Sequence, residues 1–176
     1  MLAPVGAAGS LSAMAECWYA AYTRANHEKS VAEQLRQRSV EHFLPCYDSV
    51  RRWKDRKVCL QMPLFPGYIF VRIALRDQMR VREIPSVANL VGINGTPSAL
   101  SDGEICAMRT GFAQGISAQP HPYLTIGRRV RVVSGPLAGF QGILIKRKNR
   151  TRFVLSLELI MRSVAVEIDP SELQPI

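Results

Sequence analysis

Two dense basic runs are the first features of the chain that could do chemistry. Arg51, Arg52, Lys54, Arg56 and Lys57 surround Trp53, and Lys146, Arg147, Lys148, Arg150 and Arg152 follow one another with no acid among them. Such runs create a local positive field that attracts phosphates, and an aromatic ring among the cations can stack on an unpaired base. Basic clusters also serve as plain solvated surface, so both readings stand at this point. Catalysis finds no comparable support. His27, His42 and His121 have no Ser, Cys or carboxylate beside them in a recognisable nucleophile or metal pattern. Cys17, Cys46, Cys59 and Cys106 form no Cys-x-x-Cys pair and read as reduced thiols of a cytoplasmic protein. No enzymatic activity, metal or cofactor is expected.

The composition agrees. The chain has 176 residues, 23 Lys or Arg against 14 Asp or Glu, and a formal charge of +9. That length allows one medium core or two small ones, and 47% hydrophobic residues are enough to build them. No apolar run reaches the roughly 18 residues of a membrane span, so a soluble chain with no membrane partner is expected. Residues 1–15 lack the basic leader and long apolar run of a secretory signal and read as a disordered tail, and Met14 competes with Met1 as the start of translation.

The elements that must position these residues follow from periodicity. Cys17 to Tyr22 reads as a strand, and Asn26 offers an N-cap to a helix with Glu28 in its first turn and Val31 and Leu35 on its inner face. His42 to Val50 and Lys57 to Met62 read as a hairpin with the first basic run at its tip. Pro66-Gly67 marks a turn from which the run YIFVRI leaves as a central strand. Leu75 to Ile84 has helical spacing, Val87 to Ile93 is extended, and Ser101 with Glu104 forms a capping box before the stripe Ile105, Met108, Phe112. Residues 115–124 break all periodicity and read as a linker. Beyond it, apolar runs at Val130–Val133, Ile143–Ile145, Phe153–Leu159 and Val164–Ile168 alternate with turns, as in a small barrel. The expected architecture is therefore an α+β domain over 16–114, an antiparallel sheet with helices, followed by an all-β barrel over 125–176.

The segment GRRVRVVSGPLAGFQGILI, with Gly127, Gly135, Gly139 and Gly142, resembles the KOW motif. WYAAYTRANHEKSVAEQL followed by PLFPGYIFVRI resembles the N-terminal (NGN) domain of the NusG family of transcription elongation factors, whose domain order, NGN then KOW, is the same. The later barrel sequence is closer to specialised, operon-restricted members of the RfaH and UpxY type. The resemblance implies a monomeric, noncatalytic, cytoplasmic factor that rides on RNA polymerase and suppresses pausing and termination. Its first domain would dock on the clamp helices of the largest subunit through the strand carrying Phe65, Pro66, Tyr68 and Phe70. By alternation Tyr68 and Phe70 share one strand face and either line a groove or fill the core. Arg24, Gln34, Gln37 and Arg38 match positions that contact the non-template DNA strand in the specialised members, with Lys29 and Arg82 extending the patch. Gln34 and Gln37 replace the His and Arg of RfaH, so the recruitment sequence should differ. The basic tip with Arg51, Arg52, Trp53 and Lys54 would face upstream DNA or polymerase, and the run 146–152 RNA or the ribosome. Leu159, Ile160, Met161 and Arg162 stand where housekeeping members present Ile-Phe-Gly-Arg to the ribosomal protein NusE and to Rho. Losing the Phe and the Gly there disfavours Rho and leaves NusE open. A housekeeping elongation factor and a KOW-containing ribosome- or RNA-binding protein are the alternatives.

Overall fold

The computed structural model describes residues 15–53, 56–121, 127–147 and 150–176. The expected tail up to Met14, Lys54 and Lys148 lie outside the described residues, as do the side chains of Trp53, Lys146, Arg147, Arg150 and Arg152. The chain divides into two compact units, one of residues up to Phe43 with Gly67–Leu100, the other of Leu44–Pro66 with Ser101–Ile176. These units cut across the boundary expected at residue 114.

In the first unit, strands β1 (Cys17–Thr23), β2 (Glu41–Phe43), β5 (Tyr68–Ile73) and β6 (Val87–Leu90) form an antiparallel sheet in the order β2-β5-β1-β6, and the short strands β7 (Gly92–Ile93) and β8 (Thr96–Pro97) pair with each other. The run YIFVRI is an interior strand, as its unbroken apolar character requires. Helix α1 (Glu28–Gln37) packs on β2 and β5 and buries Val31 and Leu35 completely. Burying side chains of this size contributes about 1.5–3 kcal/mol each. The helix starts one residue later than expected. Asn26 has φ +64°, a left-handed conformation that a short polar residue tolerates, and His27 takes the cap position without a side-chain hydrogen bond. Leu75 to Ile84 forms a 3-10 turn (Leu75–Asp77) and a single-turn helix α2 (Met79–Arg82) rather than one continuous helix.

In the second unit, β3 (Cys46–Trp53) and β4 (Arg56–Pro63) form a two-stranded ribbon of their own. Helix α3 (Asp102–Ala113) has the expected cap: Glu104 N–H donates to Ser101 Oγ at 3.5 Å, while Ile105 and Met108 are fully buried. The remaining strands, β9 (Ala118–His121), β10 (Arg128–Val132), β11 (Gln141–Arg147), β12 (Arg150–Leu157), β13 (Arg162–Glu167) and β14 (Leu173–Pro175), form a six-stranded antiparallel sheet in the order β14-β10-β11-β12-β13-β9. Two of these are invisible to periodicity. Part of the segment expected as linker is β9, paired with β13, and the C-terminal end supplies β14, paired with β10. Phe153, Leu155, Val164 and Val166 fill the core of this sheet. Gly142 sits where a Cβ would run into the Val154 carbonyl and the Phe153 ring, so the close approach of β11 to β12 depends on it.

Candidate functional site

On one face of the first unit's sheet the register sets Tyr22 of β1 directly opposite Tyr68 of β5. Their ring centroids are 5.3 Å apart and the planes tilted by 50°, a separation within the contact range of aromatic pairs. Phe70 shares that face, opposite Ala20 and Phe43, and stacks on the Phe43 ring at 6.1 Å. The alternation expected for Tyr68 and Phe70 holds, but the face is closed at Phe70, which is 0% exposed, and open on either side of it, at the tyrosines and at Arg72. Tyr22 is 45% exposed and Tyr68 half-buried. Phe65 is 1% exposed and belongs to the core, and Pro66 is exposed. The part of the expected docking strand that reaches solvent is thus Pro66 and Tyr68. Tyr22 joins Tyr68 because the register pairs the two, which no local signal in β1 announces.

The turn before Tyr68 is fixed from two sides. Gly67 has φ +83°, and a Cβ there would sit 3.3 Å from the Tyr22 ring. Its carbonyl accepts a hydrogen bond from Thr23 N–H at 2.8 Å, and its own N–H donates to Glu28 Oε1 at 2.7 Å. The sequence places Glu28 only in the first turn of α1; its bond to Gly67 spans too much of the chain to show in a local pattern.

Of the residues expected to face nucleic acid, Arg24 and Arg38 are tied to the segment around α2. Arg24 N–H donates to the Ser86 carbonyl at 2.8 Å, just past that helix, while Arg38 Nη1 donates to the Arg80 carbonyl at 3.2 Å and lies 3.7 Å from Glu83 Oε2. The Arg80 guanidinium in turn donates to the Arg38 carbonyl. Arg24, Arg80 and Arg82 are exposed and Arg38 is half-buried. Arg80, missed in the sequence, therefore stands with Arg38. On α1, Gln34 is half-buried, Lys29 is exposed, and Gln37 donates to Glu33 at 3.3 Å beside the Arg36–Glu33 ion pair. Arg38 and Arg80 are thus brought together, and the glutamines are less available than an open helix face implies.

In the ribbon, Arg51, Arg52, Arg56 and Lys57 are exposed, and Arg52 stands directly opposite Lys57. Val50, opposite Cys59 on the same face, is 66% exposed. In the six-stranded sheet, Gly127, Gly135 and Gly139 have φ of +145°, +80° and +93°. Within Leu159–Arg162, Ile160 is buried, Leu159 half-buried, and Met161 and Arg162 exposed; Met161 adopts φ +51°. Among the described residues no group of three or more His, Cys, Asp or Glu could hold a metal ion, and no helix is long and apolar enough to cross a membrane.

Comparison with known proteins gives these surfaces a context. The family model described as "Transcription termination factor nusG" matches residues 16–109, more than half of the chain. The transcription termination/antitermination protein NusG of Helicobacter pylori (strain J99) is 26% identical over 172 residues, covering 90% of this chain and 98% of that protein. The protein of the same name from Escherichia coli K12 is 26% identical over 171 residues, covering 89% and 94%. A structure of Thermotoga maritima NusG, solved for its domain interaction, shares the fold with a TM-score of 0.57 at 22% identity, covering 93% of this chain and 99% of that one. The chain belongs to the NusG family, and its work is the regulation of transcription rather than catalysis.

Proposed function

We propose that this protein binds RNA polymerase through Pro66, Tyr22 and Tyr68, docking on the clamp helices of the largest subunit, and suppresses pausing and termination on a restricted set of operons. The observation that carries the reading is the tyrosine pair, Tyr22 exposed and Tyr68 half-buried, on the sheet face that Phe70 closes next to it. Aromatic side chains held rigidly at a surface cost little entropy to bind and can each contribute about 2 kcal/mol or more. Arg24, Arg38, Arg80 and Arg82 offer forked donors to the non-template DNA strand, and the ribbon's cations offer a second phosphate contact upstream. The opposition of Arg52 and Lys57 supports this role, because like charges directly across a strand pair cost stability unless a polyanion lies near.

The six-stranded sheet is read as the KOW domain, with Met161 and Arg162 as the exposed part of its partner surface toward the ribosomal protein NusE. Ile160 is turned inward and no Phe stands within Leu159–Arg162, which disfavours Rho and leaves coupling to the ribosome open. On this reading the protein works in the cytoplasm as a monomer. Single-round transcription with purified polymerase on its own operon leader tests the reading. The full chain should shorten pauses and raise read-through there and leave an unrelated template unchanged. Equal action on both templates would contradict restriction, and no action on either would contradict the function.

A further inference from the structure

We propose that Glu28 is a positioning residue for the tyrosine pair, its buried carboxylate holding the turn at Gly67 so that Tyr22 and Tyr68 are presented as one rigid unit. The inference rests on the docking reading above for its consequence, but its geometry stands independently. Glu28 opens α1, a place where an acid is normally solvated, yet it is 3% exposed. Burying a carboxylate is costly unless hydrogen bonds replace water. The replacement visible here is the Gly67 N–H, at 2.7 Å from Oε1, assisted by the positive end of α1.

The placement of that bond gives it a role beyond holding a helix on a sheet. Gly67 immediately precedes Tyr68, and Thr23, which donates to the Gly67 carbonyl at 2.8 Å, immediately follows Tyr22. Both polar groups of one glycine are therefore engaged, one by β1 and one by α1, beside the chain neighbours of the two tyrosine rings. The Tyr22 ring lies over this glycine, within 3.3 Å of where a Cβ would stand. Removing the carboxylate frees the turn's N–H and lets Tyr68 leave its place opposite Tyr22. A partner then has to order the pair on binding, which lowers affinity although every atom that meets the partner is still present.

Glu28→Gln and Glu28→Met test this together in the full chain. Both are uncharged and close to Glu in size, but only the Gln side chain keeps an oxygen able to accept from Gly67 N–H. With 3-fluorotyrosine incorporated, fluorine NMR of the free protein should give a Tyr68 resonance in Glu28→Gln close to that of the parent, and a shifted or broadened one in Glu28→Met. Affinity for core RNA polymerase should fall roughly five- to tenfold in Glu28→Met and less than about twofold in Glu28→Gln, and combining Glu28→Met with Tyr68→Ala should add little to Tyr68→Ala alone. Identical Tyr68 resonances in the two variants, or fully additive losses of affinity, would overturn the inference. Unchanged affinity in Tyr68→Ala would instead sink the docking reading, and the fluorine spectra would still decide whether Glu28 holds the pair.

Discussion

Gly67 carries more of the candidate site than any residue with a reactive side chain. It has φ +83° and lies against the Tyr22 ring. Gly67→Ala should cost about 1–2 kcal/mol in urea unfolding, from the left-handed backbone and from displacement of that ring. A second residue-scale prediction concerns Glu104. Burial, and then the nearby Glu158 carboxylate, raise its pKa above the ordinary value. A carboxyl whose pKa is raised on folding favours the folded state fully only below its unfolded pKa, and that contribution is lost as pH rises through the folded value. Glu104→Gln keeps the backbone bond to Ser101, so it should raise Tm at pH 7, with the gain shrinking to nothing as the pH is lowered below the unfolded carboxylate pKa. A gain independent of pH would contradict this assignment. At this scale the sequence is only partly legible. The alternation of Tyr68 and Phe70 is readable, but not that Phe43 closes the face at Phe70 while Tyr22 opens it at Tyr68. Those facts depend on strand register between segments distant in the chain.

Among the elements, the β3–β4 ribbon has the clearest test. Lys57→Ala removes one of two opposed cations, so it should stabilise the ribbon by a few tenths of a kcal/mol while weakening binding to duplex DNA. The slope of log affinity against log salt should fall by about one for each phosphate that is no longer neutralised. Titration of a labelled duplex at several salt concentrations measures both; an unchanged slope would make the tip ordinary solvated surface. The hairpin, α1, α3 and the interior strand β5 are legible because each has a strong local period or cap. Strands β9 and β14 are not. Both are short, contain Pro120 or Pro175, and bury little, so their identity comes from pairing with β13 and β10 rather than from their own composition. The helix expected over Leu75–Ile84 fails differently: its spacing is apolar enough for one turn at Val81 and Ile84 but not for a longer buried stripe.

For the whole molecule, a charge of +9 is spread over several basic surfaces, among them the arginines near α2, the cations of the β3–β4 ribbon and Arg128, Arg129 and Arg131 of β10. Recruitment to a transcribing complex should therefore weaken steeply with salt, while an aromatic contact with polymerase should depend on it little. Charge-removing changes at Arg24 and Arg82 should lower recruitment at particular pause sites by several-fold and leave affinity for free polymerase intact. Equal loss at every site would mean that these arginines act only through their general field. The most direct test of the central claim is crosslinking from position 68. A photoreactive phenylalanine replacing Tyr68 in the full chain, illuminated in a halted elongation complex, should join the protein to the clamp helices of the largest polymerase subunit. A crosslink confined to another subunit, or none in complexes whose pausing the protein still suppresses, would contradict the assignment of the tyrosine pair as the docking surface.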